Sequence, residues 1–263
     1  MADTPLIQYE VSNMVALLRL NHPQTLNALT GAMIDQLHTA LDRAEASARS
    51  MVLAANGRAF CSGANLFGGM GDAPAEGIKP DAGAPLESAL NPLMTRLRSL
   101  TIPWISAVQG AAAGGGASLA LAGDLIVAAE DARFVIAFAR IGLVPDCGAF
   151  HMMVRTLGRV RANEVMLLGG QIDARRALEL GLVNRVVPNE RLTDEALALA
   201  KQLAEGPRSL ATIRRLSWQA LDADFAGMLR EEREAQRDCG HTQDFEEGVA
   251  AFLEKRPARF RDC

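Results

Sequence analysis

An α/β fold is the class this 263-residue sequence predicts, and three observations predict it. Amphipathic helical periodicity alternates with short apolar runs over the first 203 residues. The segments between those runs have the length that crossover connections in a parallel sheet need. Hydrophobic residues make up 49% of the chain but aromatics only 5%, so the core is to be built from small and aliphatic side chains. A chain of this size buries such a core without disulfide or metal clips.

The elements follow in order. Residues 6–11 and 14–20 read as two strands of a hairpin around a Ser12-Asn13 turn. Leu29, Met33, Leu37 and Leu41 recur every four residues with Thr30 as N-cap, which predicts a helix over 30–48 and then a strand over 51–55. Residues 67–85 are rich in Gly and Pro and read as a long, mobile surface loop, of a length found in lids and disordered segments. A helix is expected over 86–100, buried strands over 104–108 and 124–129, and a short buried helix over 116–122 between them. Helices over 160–168 and 174–180 and a strand over 182–187, stopped by Pro188, complete this part.

From Ala204 the composition shifts: 22 of the last 60 residues are charged, against 36 of the first 203. Two units are therefore expected, a core over 1–203 and a helical C-terminal region over 204–263. Leu216 with Ala220, and Phe245 with Val249 and Phe252, give that region amphipathic faces for packing on the body or on a neighbouring subunit.

Charge and composition remove several function classes. A net charge of −4 and a pI near 5.7 lack the basic excess of nucleic-acid or anionic-membrane binders. Residues 102–123 carry no charge and nominally reach the ~20 residues of a membrane span. Nine Ala and five Gly within 104–129, with Gly114-Gly115-Gly116 in the middle, make a buried strand, turn and helix the better reading. The four cysteines form no C-x-x-C, no secretory leader is visible, and a reduced cytoplasmic protein is expected. The four histidines have no ligand spacing, so no metal is assigned. Chemistry on a small molecule remains.

Two glycine-containing turns each lie between a strand and a helix: residues 58–66, with Gly63, and residues 110–116. Bare backbone N–H groups at such turns can hold an oxyanion. Tight packing and positive φ alone explain the same glycines, and spacing by itself favours that plainer reading.

The residues themselves resemble the crotonase, or enoyl-CoA hydratase/isomerase, superfamily. The matching motifs are Asn21-His22-Pro23 with Asn27-Ala28-Leu29, the segment 57–66, Ile102-Pro103, Gly110 and Gly114-Gly115-Gly116. They continue through Ala122-Gly123-Asp124, Ala132-Arg133-Phe134, Gly142-Leu143-Val144-Pro145-Asp146, Gly181-Leu182-Val183-Asn184 and the tail segment 244–256. The resemblance implies a crotonase-like spiral of ββα units, a helical C-terminal trimerisation region giving a homotrimer or a hexamer of paired trimers, and acyl-CoA thioester substrates. It implies no separate cofactor, since coenzyme A is part of the substrate. The two thioester-oxygen donors of the family fall on the backbone N–H groups of Ala64 and Gly115. Ser62, Asn65, Gly114, Ser118 and Phe138 fall at substrate-facing positions, and Asn65 can also cap a following helix.

This sequence departs from the family where classical hydratases carry two glutamates, since those positions hold Ser118 and Phe138. Neither side chain titrates near neutral pH. Asp146 resembles the catalytic aspartate of family isomerases such as epoxyphenylacetyl-CoA isomerase, and one carboxylate suffices for a 1,3 proton shift. A dehalogenase would need a Trp at Phe138 and a His at Asn91. A Pro-Asp turn or helix cap is the alternative reading of Asp146. Phe138, Phe150, Met152 and Met153 are candidates for an apolar acyl pocket, or equally for core. Cys147 is a candidate nucleophile without a visible base. Ala28, Arg58 and Lys255, with Arg256 beside it, are candidate coenzyme A contacts.

Isomerisation of an acyl-CoA is therefore the leading expectation and hydration of an enoyl-CoA the alternative. A non-catalytic thioester- or RNA-binding member is the third reading; the acidic balance and scarce aromatics weigh against RNA.

Overall fold

The computed structural model describes residues 4–64 and 81–261. Strands β1 (Ile7–Ser12) and β2 (Val15–Leu20) form the expected hairpin. Ser12 pairs with Val15, so the turn is Asn13-Met14, one residue later than the Ser12-Asn13 turn the sequence suggests. Both turn residues have positive φ, the geometry whose twist matches the flanking strands. Helix α1 (Gly31–Ser47) starts where Thr30 Oγ1 accepts the Met33 N–H at 3.2 Å. It buries Met33, Ile34, Leu37 and Leu41 against the sheet and leads to β3 (Ser50–Ala55), every residue of which is buried.

The helix expected over 86–100 is two pieces, a π-helical turn (Leu86–Leu90) and α2 (Asn91–Arg98). Pro92 near the joint lacks the N–H that a continuous α-helix would use there. The chain continues through β4 (Trp104–Val108), β5 (Ala111–Ala113) and α3 (Gly115–Leu121). Then come β6 (Leu125–Ala129), β7 (Arg133–Val135), a 3-10 turn (Phe138–Ile141), α4 (Ala149–Leu157) and α5 (Arg159–Leu167). Strand β8 (Gln171–Asp173), α6 (Ala174–Glu179), β9 (Arg185–Val187) and α7 (Leu192–Ala204) precede the C-terminal helices α8 (Ser209–Gln219), α9 (Phe225–Cys239) and α10 (Gln243–Glu254).

A six-stranded sheet runs β1-β2-β3-β4-β6-β9, parallel except at the hairpin, and a three-stranded sheet runs β5-β7-β8. Consecutive units place one strand in each sheet and then a helix, as in β4-β5-α3 and β6-β7-α4. This is the ββα spiral of the crotonase fold. Strand alternation divides the core in two: Trp104 and Val108 of β4 face the helices of the spiral, whereas Ile105 and Ala107 face α7 through Ala196, Leu199 and Ala200. The uncharged stretch 102–123 is thus a buried strand, turn and helix, and among the described residues no helix is long and apolar enough to cross a membrane.

The strand expected over 182–187 shortens to Arg185–Val187, because Leu182 N–H turns back to the Ala177 carbonyl at 2.9 Å and closes α6. Asn184 then clips the chain to β6 through its N–H and Oδ1 on either side of Ile126. The C-terminal helices are fastened by Arg214 of α8. Its guanidinium is buried, pairs with Asp124 at 2.6 Å and donates to the carbonyls of Leu97, Arg98 and Leu100 at 2.6–2.8 Å.

Candidate active site

The first glycine turn is held by hydrogen bonds to the segment before α1. Asn27, fully buried and at φ 56°, donates its Nδ2 to the carbonyls of Asn56 and Ala59 and accepts the His22 N–H on Oδ1. Ser62 N–H donates to the Leu26 carbonyl, Ser62 Oγ to the Thr25 carbonyl, and Leu29 N–H to the Gly63 carbonyl. The second turn is locked to the first: Ala113 N–H donates to the Cys61 carbonyl at 2.8 Å, and Cys61 N–H to Ala111. Glycine is required at the contact. A Cβ on Gly63, at φ 94°, would lie 2.7 Å from the Ala113 oxygen, and one on Gly116 would lie 2.4 Å from the Cys61 oxygen.

The two turns therefore bring Ala64 and Gly115 to one place, with the Gly63 Cβ position only 3.4 Å from Gly115 N. Among the described residues, neither the Ala64 N–H nor the Gly115 N–H meets a hydrogen-bond acceptor. Gly115 opens α3, so its N–H belongs to the first turn of a helix, where intrahelical partners are missing. Gly114 ahead of it, at φ 54°, donates to the Val135 carbonyl at 3.0 Å and packs against the Phe138 ring.

Asp146 reaches the same place. A Cβ on Gly115 would stand 3.7 Å from Asp146 Oδ1 and 3.3 Å from Cys147 Sγ. The Asp146 side chain sits in a loop whose next two residues, Cys147 and Gly148, both have positive φ. Its Oδ1 is buried and, among the described residues, has no hydrogen-bond partner. Burial pushes the carboxyl above the ordinary carboxylate range, and the Cys147 thiol and the Asp146 N–H offset this only in part. Asp146 is not a side-chain cap: no side-chain cap bond begins α4, and Ala149 N–H bonds the Asp146 backbone carbonyl instead. Cys147 is buried, and burial and the adjacent carboxylate hold its thiol strongly protonated. Burial likewise pushes Cys61 up to about 12.

The remaining candidates separate. Ser118 is fully buried in α3, and its hydroxyl donates to the Asp146 backbone carbonyl at 2.9 Å. Phe138 is buried beside Gly114, Met153 is core, Met152 is half-buried near Gly148 and Phe150 is exposed. Ala28 is buried; Arg58 is exposed on a cavity of about 430 Å³ with Gln109, Asp131 and Asn189. Lys255 closes α10 in a left-handed conformation, and Arg256, just past the helix end, is engaged by Glu247 and Glu254 of α10. Asn91 is exposed at the start of α2. Asn65 and residues 67–80 of the expected loop lie outside the described residues. No group of three or more His, Cys, Asp or Glu side chains among the described residues could hold a metal ion. The Asn27 network and the Ser118 bond carry no signal in spacing, because each joins segments about 30 residues apart.

Known proteins match this architecture over nearly its whole length. The family model described as enoyl-CoA hydratase/isomerase matches residues 10–263. A probable enoyl-CoA hydratase of Rhodobacter capsulatus is 40% identical over 97% of both chains. The 1,2-epoxyphenylacetyl-CoA isomerase of Escherichia coli is 41% identical over 95% of this chain and 96% of its own. The crystal structure of an enoyl-CoA hydratase from Polaromonas sp. JS666 superposes with a TM-score of 0.88 at 34% identity, covering 97% of this chain and 99% of that one. With two backbone turns converging beside a half-buried carboxylate, and relatives of this extent, the chain belongs to the enoyl-CoA hydratase/isomerase family of the crotonase superfamily and is an enzyme of that family.

Proposed function

We propose that this enzyme is an acyl-CoA isomerase that shifts a double bond in an enoyl-CoA or ring-CoA substrate. Asp146 is the proton shuttle, and the N–H groups of Ala64 and Gly115 are the oxyanion hole. The observation that carries this reading is the buried, unpartnered Asp146 Oδ1 next to Gly115, in a site whose other acid–base positions are Ser118 and Phe138. The ionised carboxylate takes a proton from C2 of a 3-enoyl thioester. The electrons move onto the thioester oxygen, where two fixed N–H donors stabilise the dienolate more than the neutral ground state. The same proton returns from Asp146 to C4, and the double bond ends between C2 and C3. Atoms and charge balance without water or a cofactor, and coenzyme A enters only as part of the substrate.

Phe138 and Gly114 flank this centre as apolar substrate-facing surface, and Ser62 and Asn65 are also proposed for substrate binding. Ala28, Arg58 and Lys255 are proposed for the coenzyme A moiety. The free cysteines suit a reducing compartment, and we place the enzyme in the cytoplasm. The region from 204 onward is proposed as the assembly unit of a homotrimer or hexamer, because α8, α9 and α10 line an apolar groove of about 940 Å³ and leave Phe225, Phe252 and Leu253 exposed.

The second reading, hydration of a 2-enoyl-CoA with Asp146 as sole carboxylate, draws on the name of the Rhodobacter capsulatus relative. The test of the first is Asp146→Asn assayed on a 3-enoyl-CoA that the wild type isomerises. Loss of a general base lowers turnover by about 100- to 10,000-fold. Full turnover in the variant overturns the assignment of the base.

A further inference from the structure

We infer that Ser118 is a positioning residue that locks the proton shuttle to the helix carrying the oxyanion donor. The inference rests on the roles proposed above for Asp146 and Gly115.

A serine buried inside a helix ordinarily returns its hydroxyl to the carbonyl four residues back. Ser118 does not: the Gly114 carbonyl takes backbone N–H groups from Ala117 and Ser118, and Ser118 Oγ reaches 28 residues along the chain to the Asp146 carbonyl at 2.9 Å. The acceptor belongs to the very residue whose Oδ1 lies beside Gly115. Gly115 and Ser118 are one turn apart in α3, so a single rigid helix presents the oxyanion donor and holds the base.

The base needs this anchor because its own loop is poor in others. Residues 141–144 are exposed, Cys147 and Gly148 have positive φ, and the Asp146 carboxyl is met from within the loop, by the Cys147 thiol and its own N–H, while Oδ1 has no hydrogen-bond partner among the described residues. The Asp146 carbonyl has two donors, Ala149 N–H at 3.0 Å and Ser118 Oγ at 2.9 Å. The first ties Asp146 to α4, which follows it in sequence. Only the second ties it to α3. Removing that hydroxyl lets the carboxylate drift relative to Gly115 while both loops still form.

The experiment compares wild type, Ser118→Ala and Asp146→Asn on a 3-enoyl-CoA. Ser118→Ala removes one atom and leaves the core packed. It is expected to lower kcat by about 10- to 100-fold, the scale of a misplacement near 1 Å, with KM within about twofold of wild type. Its acid limb should move to lower pH, because a loosened carboxyl is better solvated and stays ionised further into acid. A purely structural serine would lower the melting temperature and leave kcat and the acid limb of the folded enzyme in place; that result overturns the inference. If Asp146→Asn keeps wild-type turnover, the reading beneath it falls. If Asp146→Asn is inactive while Ser118→Ala keeps kcat and pH profile, that reading stands and the inference alone fails.

Discussion

Asp146 is held where it is costly to ionise, and this gives its environment a signature in stability as well as in rate. Burial raises its folded pKa above the unfolded value, so between those two values the native state binds more protons than the unfolded state. The Asp146 contribution to stability therefore falls as pH rises through that window and stays low above it. Asp146→Asn removes the penalty of burying a charge. Thermal unfolding followed by circular dichroism should show a higher Tm for the variant at neutral pH, with the difference fading below the ordinary carboxylate range. An unchanged or lower Tm at neutral pH would contradict burial as the cause. At this scale the sequence was legible in part. Asp146, Ala64 and Gly115 are named by motifs that occupy single turns. The Ser118 bond was not legible, because a buried serine reads the same whether its hydroxyl faces substrate, its own helix or a loop 28 residues away.

Among the elements, α3 and α8 are joined to the sheet by opposite means. The start of α3 depends on absent side chains, since a Cβ on Gly116 would meet Cys61 at 2.4–2.8 Å. Helix α8 depends on one large one. Arg214 is 5% exposed, and it satisfies three carbonyls at the end of α2 together with the Asp124 carboxylate at the start of β6. Asp124 also accepts the Trp104 N–H and the Trp218 Nε1–H, so the ion pair joins core and tail. Arg214→Ala leaves a buried carboxylate without its partner, a loss of about 3–5 kcal/mol. Urea titration of the variant should show that loss, and a change below 1 kcal/mol would mean that other contacts of α8 suffice. The Gly-Gly-Gly run was readable as a turn from composition. Arg214 was not, because one arginine among the many charges of the tail has no pattern of its own.

For the molecule as a whole, alternating helical and apolar patterns disclosed the α/β class. Five of the six strands in the large sheet were placed within one residue, because they are five or six residues long and bounded by turn residues. Strands β5, β7 and β8 escaped because each has three residues, and Ala111–Ala113 carries no β-branched or aromatic side chain. The second sheet was therefore visible only through resemblance to the crotonase spiral, and α4 and α7 emerged only in the fold. That architecture gathers residues 60–64, 114–118 and 146–147 at one point, so the reaction is a property of the assembled spiral and not of any one motif. The most direct test of the central claim is mass spectrometry of the thioesters recovered after the wild-type enzyme acts on a 3-enoyl-CoA and on a 2-enoyl-CoA. A one-carboxylate proton shuttle yields product of unchanged mass with the double bond moved. Conversion of the 2-enoyl-CoA chiefly to a hydroxyacyl-CoA, heavier by one water, would contradict it.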